Sequence, residues 1–298
     1  MDTTETSLPV QRRSNALALA AALVAVVLWA SAFVGIRAAG HDLSAGSLAL
    51  ARLLVGSIAL GAMVAVRRDA FPPRSDWPRL LVCGLAWFGL YNVVLNEAER
   101  RVDAGTAAML VNLGPILIAV LAGWLLKEGF PRSLVIGCAV AFAGTAVIAR
   151  ATSAQDVSAG WGAVLCVVAA AAYAVGVVAQ KPLLANTSPL QITWLACVIG
   201  AVVCLPFAGK LVHELGHASA GAIAWTVYLG VFPTAVGFTA WAFALARTSA
   251  GRLGSTTYLV PPVAIVLGWL LLDEAPPAAA LLGGLLCLGG VVIARRGR

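Results

Sequence analysis

Charge is what this sequence has least of. Asp, Glu, Lys and Arg make up 11% of its 298 residues, where a soluble domain carries about a quarter. Such a chain cannot coat a folded core with polar surface. That excludes a soluble enzyme, a DNA-binding domain and a disordered protein. Acid is scarcer than base, 13 residues against 20. No Asp or Glu falls in the middle of an apolar run, so the sequence offers no buried carboxylate for a cationic drug. No G-x-x-x-x-G-K-[ST] loop is present to hold nucleotide phosphates, so transport driven by this chain's own nucleotide hydrolysis is excluded. Histidine occurs three times and cysteine six. Cys83, Cys138, Cys166, Cys197, Cys204 and Cys287 all lie in apolar stretches without metal-ligand spacing. They read as small core residues, neither a disulfide framework nor a zinc site, and no cofactor is implied.

What is present is hydrophobic: 61% of residues, with a mean hydropathy of +0.93. A helix crosses the hydrocarbon layer in about 20 residues. Scanning for such runs yields ten spans, at 16–36, 45–66, 78–96, 104–126, 132–149, 160–180, 188–208, 221–244, 250–272 and 278–294. The first is too long for a signal peptide, although Ala30-Ser31-Ala32 mimics a cleavage site. The expected fold is an all-α polytopic membrane protein. The net charge of +7 needs no nucleic-acid partner, because Lys and Arg gather in cytoplasmic loops. With the N-terminus inside, only Arg37, Arg100, Arg101, Arg150 and Lys210 face out and Arg52 lies within a span; the other fourteen face the cytoplasm. Both termini are therefore expected to be cytoplasmic.

The two halves resemble each other. Arg101 and Arg247, Gly105 and Gly251, Pro115 and Pro261, and Glu128 and Glu274 are each 146 residues apart; Trp29 and Arg37 match Tyr173 and Lys181 at 144. Residues 16–150 and 160–294 thus read as two copies of a five-helix unit, flanked by tails at 1–15 and 295–298. Five is odd, so the second copy is inverted in the membrane, an arrangement typical of secondary transporters with a substrate site between the halves.

Trp29-Ala30-Ser31-Ala32-Phe33, Arg52-Leu53-Leu54 and the stretch from Asp103-Ala104-Gly105 through Pro115 to Leu126-Lys127-Glu128 together resemble the EamA family of the drug/metabolite transporter superfamily. The likeness covers nearly the whole chain as two EamA units. It implies ten helices, cytoplasmic termini and gradient-driven movement of small metabolites, often amino-acid export, across the inner membrane. Arg52 has no counterpart in the second half, where the equivalent region reads Gln191-Ile192-Thr193-Trp194.

The expected substrate cavity is neutral and aromatic. Its candidate residues are Trp29 in span 1, Trp87, Tyr91 and Asn92 in span 3, Asn112 and Pro115 in span 4, Tyr173 in span 6, Phe238 and Trp241 in span 8, and Tyr258 and Pro261 in span 9. Proline frees a backbone carbonyl for a ligand or a hinge. An amide such as Asn112 needs a partner or a wet cavity. Helix–helix hydrogen bonding and interfacial aromatic belts are the plainer uses of such residues. Arg52 would anchor a substrate carboxylate or pair with Glu97 in a gate; snorkelling or a structural pair are its alternatives. Spans 5 and 10, rich in Gly and Ala, suit peripheral packing or a homodimer contact.

These observations point to a secondary active exporter of small organic metabolites such as amino acids, working by alternating access. Its partners would be the substrate and the lipid bilayer. Drug or toxic-compound efflux and metabolite uptake are the alternatives. A distant one is a membrane metalloenzyme, suggested by His213-Glu214-Leu215-Gly216-His217, which matches H-E-x-x-H. That motif is expected in a short solvated loop, with Gly216 weakening any helix and no third ligand beyond His41.

Overall fold

The computed structural model describes residues 7–101, 107, 110–152, 160–272 and 278–296. Among these the chain is helical, with no strand. A bilayer imposes this, because hydrocarbon offers no partner for an unpaired backbone amide. The helices are α1 (Ser7–Ala39), α2 (Ala45–Arg67), α3 (Arg74–Glu99), α4 (Gly114–Leu125), α5 (Arg132–Thr152) and α6 (Trp161–Leu183). They continue as α7 (Pro189–Val203), α8 (Ala220–Arg247), α9 (Ala250–Ser255, a 3-10 turn at Thr256–Leu259, then Val260–Leu272) and α10 (Ala278–Arg296). A short helix, Ala208–Leu215, lies between α7 and α8.

Six of these, α1, α2, α3, α6, α8 and α10, are long and apolar enough to cross a membrane. A seventh candidate is α7 with the short helix, which bend by 51° at their junction; α4 and α5 are shorter apolar helices. Large apolar side chains point outward: Val66 is 84% exposed, Ile58 73% and Leu285 65%. Water would penalise that surface and lipid does not. The chain is a multi-pass membrane protein.

Helix α1 starts at Ser7, well before the expected span, and α7 stops at Val203, short of its own; two further differences bear on the site. Helix α3 runs on to Glu99, carrying a carboxylate past the end of its apolar run. The His213 motif falls mostly on the Ala208–Leu215 helix, where a solvated loop was expected. Leu211 is buried there and anchors the turn that Gly216 ends.

Polar contacts order the two ends of the bundle. At one end the Asp42 carboxylate accepts from the Ser219 amide and hydroxyl (2.8 and 2.6 Å), and Glu214 accepts from those of Ser44 (3.0 and 3.1 Å). The α1–α2 turn is thereby joined to the start of α8. At the opposite end the Ser188 hydroxyl, which caps α7, donates to Asp69 just beyond α2 (2.5 Å). The α6–α7 turn therefore lies across the bundle from the α1–α2 turn. Each acid sits where free amides at a helix start favour negative charge.

Helices α5 and α10 meet through their small residues. A Cβ on Gly144 would lie 2.6 Å from the Gly283 carbonyl oxygen, and one on Gly290 2.6 Å from that of Gly137. The backbones thus touch directly, and the small-residue face of each helix is used against the other.

Candidate functional site

The centre of the bundle is built on two irregular stretches of helix. Gly84–Leu90 in α3 and Gly230–Gly237 in α8 are both π-helical. They begin 146 residues apart, the spacing that relates the two halves of the sequence. A π-turn loosens the i→i−4 ladder and leaves carbonyls to be caught by side chains, and such turns gather at functional sites. In α3 the Asn92 amide donates to the carbonyls of Trp87 (3.3 Å) and Phe88 (2.8 Å). In α8 the Thr234 hydroxyl donates to Leu229 O (2.8 Å), and the Trp29 indole reaches from α1 to Pro233 O (3.3 Å).

These turns aim aromatic rings at one point. Trp87 has Trp29, Phe88, Tyr173, Phe238 and Trp241 around it at centroid distances of 4.9–6.2 Å. Trp29 lies 5.0 Å from Trp241 and 5.3 Å from Phe238, and Tyr91 joins through Tyr173 at 6.0 Å. Helices α1, α3, α6 and α8 therefore converge on one cluster. The rings fill this centre by packing on one another: Trp87, Phe88 and Trp241 are almost wholly buried. Each favourable ring pair adds about 0.5–1.5 kcal/mol beyond burial.

Three buried donors in this region have no acceptor: Tyr173 OH, Tyr258 OH and Trp241 Nε1. The Tyr173 hydroxyl faces Thr257 without reaching hydrogen-bonding geometry, and Thr257 donates to Gly254 O at 2.8 Å. An unsatisfied buried donor costs about 1–3 kcal/mol. Tyr173 OH and Trp241 Nε1 belong to the aromatic cluster, whereas Tyr258 packs beside it in a second core with Leu134, Cys138 and Ala141.

Helices α4 and α9 are interrupted at matching points. Turn residues Asn112 and Leu113 precede Gly114-Pro115, and the 3-10 turn Thr256–Leu259 precedes Pro261. Neither proline can donate to the preceding turn. Gly114 lies against the Tyr173 ring, and Asn112 and Tyr258 are buried. Both prolines thus follow a break in regular helix, Pro115 in the first turn of α4 and Pro261 in the first turn after the 3-10 segment of α9.

Arg52 is buried in α2, where its Nε and Nη2 donate to the Thr234 hydroxyl (3.2 and 3.1 Å). The expected pairing with Glu97 is not made. Arg52 faces the π-turn of α8, whereas Glu97 turns along α3 to hold Arg101, one helical turn away, at 2.6 Å. Thr234 and Glu99 were missed by the sequence reading. Thr234 looks like any small residue in an apolar run. Glu99 was set outside the membrane span, yet its Oε1 is buried without a partner.

In the His213 motif both imidazoles are exposed, with ring centres 5.1 Å apart, while Glu214 is occupied by Ser44. No cluster of three or more His, Cys, Asp or Glu suited to a metal occurs among the described residues. The six cysteines are free and buried.

The sequence model of the EamA-like transporter family matches the chain twice, over residues 16–150 and 160–296. The chain is 40% identical to a probable terminal-alkyne amino-acid exporter of Streptantibioticus cattleyicolor, over 93% of this chain and 92% of that one. It is 32% identical to the uncharacterized transporter YdfC of Bacillus subtilis, over 89% and 86% of the two chains. A solved crystal structure superposes with a TM-score of 0.76 at 19% identity, covering 93% of this chain and 96% of the other, a likeness of fold. The chain belongs to the EamA-like transporter family.

Proposed function

We propose that this protein is a secondary active exporter of amino-acid-like metabolites, with ten membrane crossings in two inverted five-helix units and both termini in the cytoplasm. The observation that carries the reading is the uncharged aromatic cluster with its unpartnered donors Tyr173 OH and Trp241 Nε1, and Tyr258 OH in the core beside it. Three donors without an acceptor suit a carboxylate, and the rings suit the apolar part of a small substrate. The relative named as a probable amino-acid exporter supports the same class. The inversion is supported by the paired π-turns and by the α1–α2 and α6–α7 turns at opposite ends. The excess of Lys and Arg at the Asp69 end supports its cytoplasmic placement. Alternating access would part the rings as α3–α4 and α8–α9 rock about their π-turns and prolines. A gradient of substrate or coupling ion would drive it.

The test is export from a bacterial host fed a terminal-alkyne amino acid, with native chain, Trp241→Phe and empty vector compared by mass spectrometry of the medium. The native chain should raise extracellular amino acid above the vector. Trp241→Phe keeps a ring but loses the donor, and should cut that export roughly fivefold, about 1 kcal/mol. No rise in any amino acid, with the protein verified in the membrane, would overturn the reading.

A further inference from the structure

The end of the bundle that carries the α1–α2 turn holds a pocket of about 130 Å³. That is far above the roughly 10–15 Å³ that admits one water. Arg37 lines it from the last turn of α1 and His41 from just beyond, with Asn96 and Glu99 from the last turn of α3 and Arg100 at its cap. Its chemistry is divided. Asn96 is 97% buried; its Nδ2 donates to Ala45 O at 3.1 Å, but its Oδ1 has no partner. Glu99 Oε1, one turn further on, is also buried and unpartnered. Two acceptors thus wait for a donor. Arg37 and Arg100 are exposed at the same pocket; Arg37 is near enough for its charge to act on Glu99, but neither arginine forms a direct ion pair with it. Acidic and basic groups that share a pocket without a direct bond between them leave both open to a ligand.

The other half of the chain shows what this place looks like when shut. Lys181 is the counterpart of Arg37, and Leu245 follows Glu99 by 146 residues. There Lys181 Nζ donates to the carbonyls of Leu245 (2.6 Å) and Thr248 (2.9 Å), closing the end of α8. Arg37 makes no such bond to the end of α3. The pocket is the open version of a contact that is closed in the other half.

We propose that this pocket binds an α-amino-acid zwitterion, its ammonium on Glu99 and Asn96 and its carboxylate on Arg37 and Arg100, at a site separate from the aromatic cluster. A lone amine would leave the arginines uncompensated, and a lone carboxylate would meet Glu99. Only a molecule carrying both charges a few bonds apart satisfies both sides. The ligand class comes from the pocket and does not rest on the export reading.

The test uses the full chain in lipid nanodiscs with His41→Cys as a reporter. The six native cysteines are buried, so the new thiol is the one open to a membrane-impermeant maleimide. L-alanine should slow its labelling saturably, while propylamine or propionate at the same concentration should have little effect. Glu99→Gln should raise the protecting concentration roughly tenfold, the loss of one charge-assisted bond. Arg37→Gln alters an exposed side chain that makes no hydrogen bond or direct ion pair, so the fold should survive, and it should have a similar effect. No protection by L-alanine, equal protection by propylamine alone, or protection unchanged in both variants would each overturn the proposal. The export assay fails separately. Protection without export would sink the transport reading and leave this site standing. Export without protection would do the reverse.

Discussion

Glu128, just beyond α4, accepts hydrogen bonds from the backbone amides of Ala250 (2.7 Å) and Gly251 (3.1 Å) with its two carboxylate oxygens. Those amides open α9 and have no partner within their own helix. One carboxylate from the first half therefore closes the start of a helix in the second. Lys181 does the complementary service nearby, donating to the carbonyls that end α8. Acid at a helix start and base at a helix end both follow the helix dipole.

Glu128→Ala should accordingly cost about 1–2 kcal/mol of stability, the usual worth of a good cap. Unfolding by denaturing detergent in mixed micelles would read it. Glu128→Gln keeps an acceptor and should lose only part of that. If Glu128→Ala unfolds at the native detergent fraction, the carboxylate contributes nothing and the closure rests on packing alone.

The His213 motif separates two uses of one carboxylate. Glu214 accepts from Ser44 at the start of α2, while His213 and His217 stay in solvent. His213→Ala with His217→Ala should leave export and stability within about 0.5 kcal/mol of native, as surface changes do. Glu214→Ala should destabilise by about 1 kcal/mol. A metalloenzyme would show the opposite order, with activity lost on removal of the histidines.

Asp42 gives the protein an acid limb. The hydroxyl and then the amide of Ser219 stabilise its charged form and hold its carboxyl below the usual aspartate range. A depressed folded-state value means stability present above the unfolded value near ~3.9. It is lost as pH falls through the folded value, because the unfolded chain then binds the proton more readily. Asp42→Asn should therefore be less stable than native near neutral pH by a constant amount, and the gap should close below about pH 4. A gap that widens on acidification would reverse the sign and exclude the mechanism.

Much of this was legible in the sequence because bilayer physics leaves large signals. Long apolar runs, the proline pair Pro115 and Pro261, and the 146-residue spacing all arise from local rules of hydropathy and backbone bonding. The convergence of Trp29, Trp87, Tyr173 and Trp241 could also be guessed, since buried indoles and phenols in spans are few. What stayed hidden depends on how helices turn toward one another. Arg52 chose Thr234 across α8 instead of Glu97, a choice set by helix rotation that hydropathy does not encode. Glu99 carries a buried Oε1 because α3 continues beyond its apolar run. The π-turns leave no clear mark beyond glycines at their starts, and a strand of logic based on 3.6 residues per turn passes over them.

Stability and transport part company at two hydroxyls. Tyr173 OH and Tyr258 OH are buried without acceptors, so the resting protein bears the cost of desolvating them. Tyr173→Phe and Tyr258→Phe delete that oxygen and keep the ring. Each should leave the fold as stable as native or raise it by up to about 1 kcal/mol, because an orphaned donor is removed. If the hydroxyls meet a substrate carboxylate, each variant should also weaken substrate recognition by roughly tenfold, seen as a higher half-saturating concentration in counterflow from proteoliposomes. Stability up and affinity down in the same variant is the signature of a polar group kept for a ligand. A hydroxyl serving the fold would move both in the same direction, downward. Thermal unfolding and counterflow on one preparation distinguish the two, and a variant that lost stability with unaltered half-saturation would remove these tyrosines from the site.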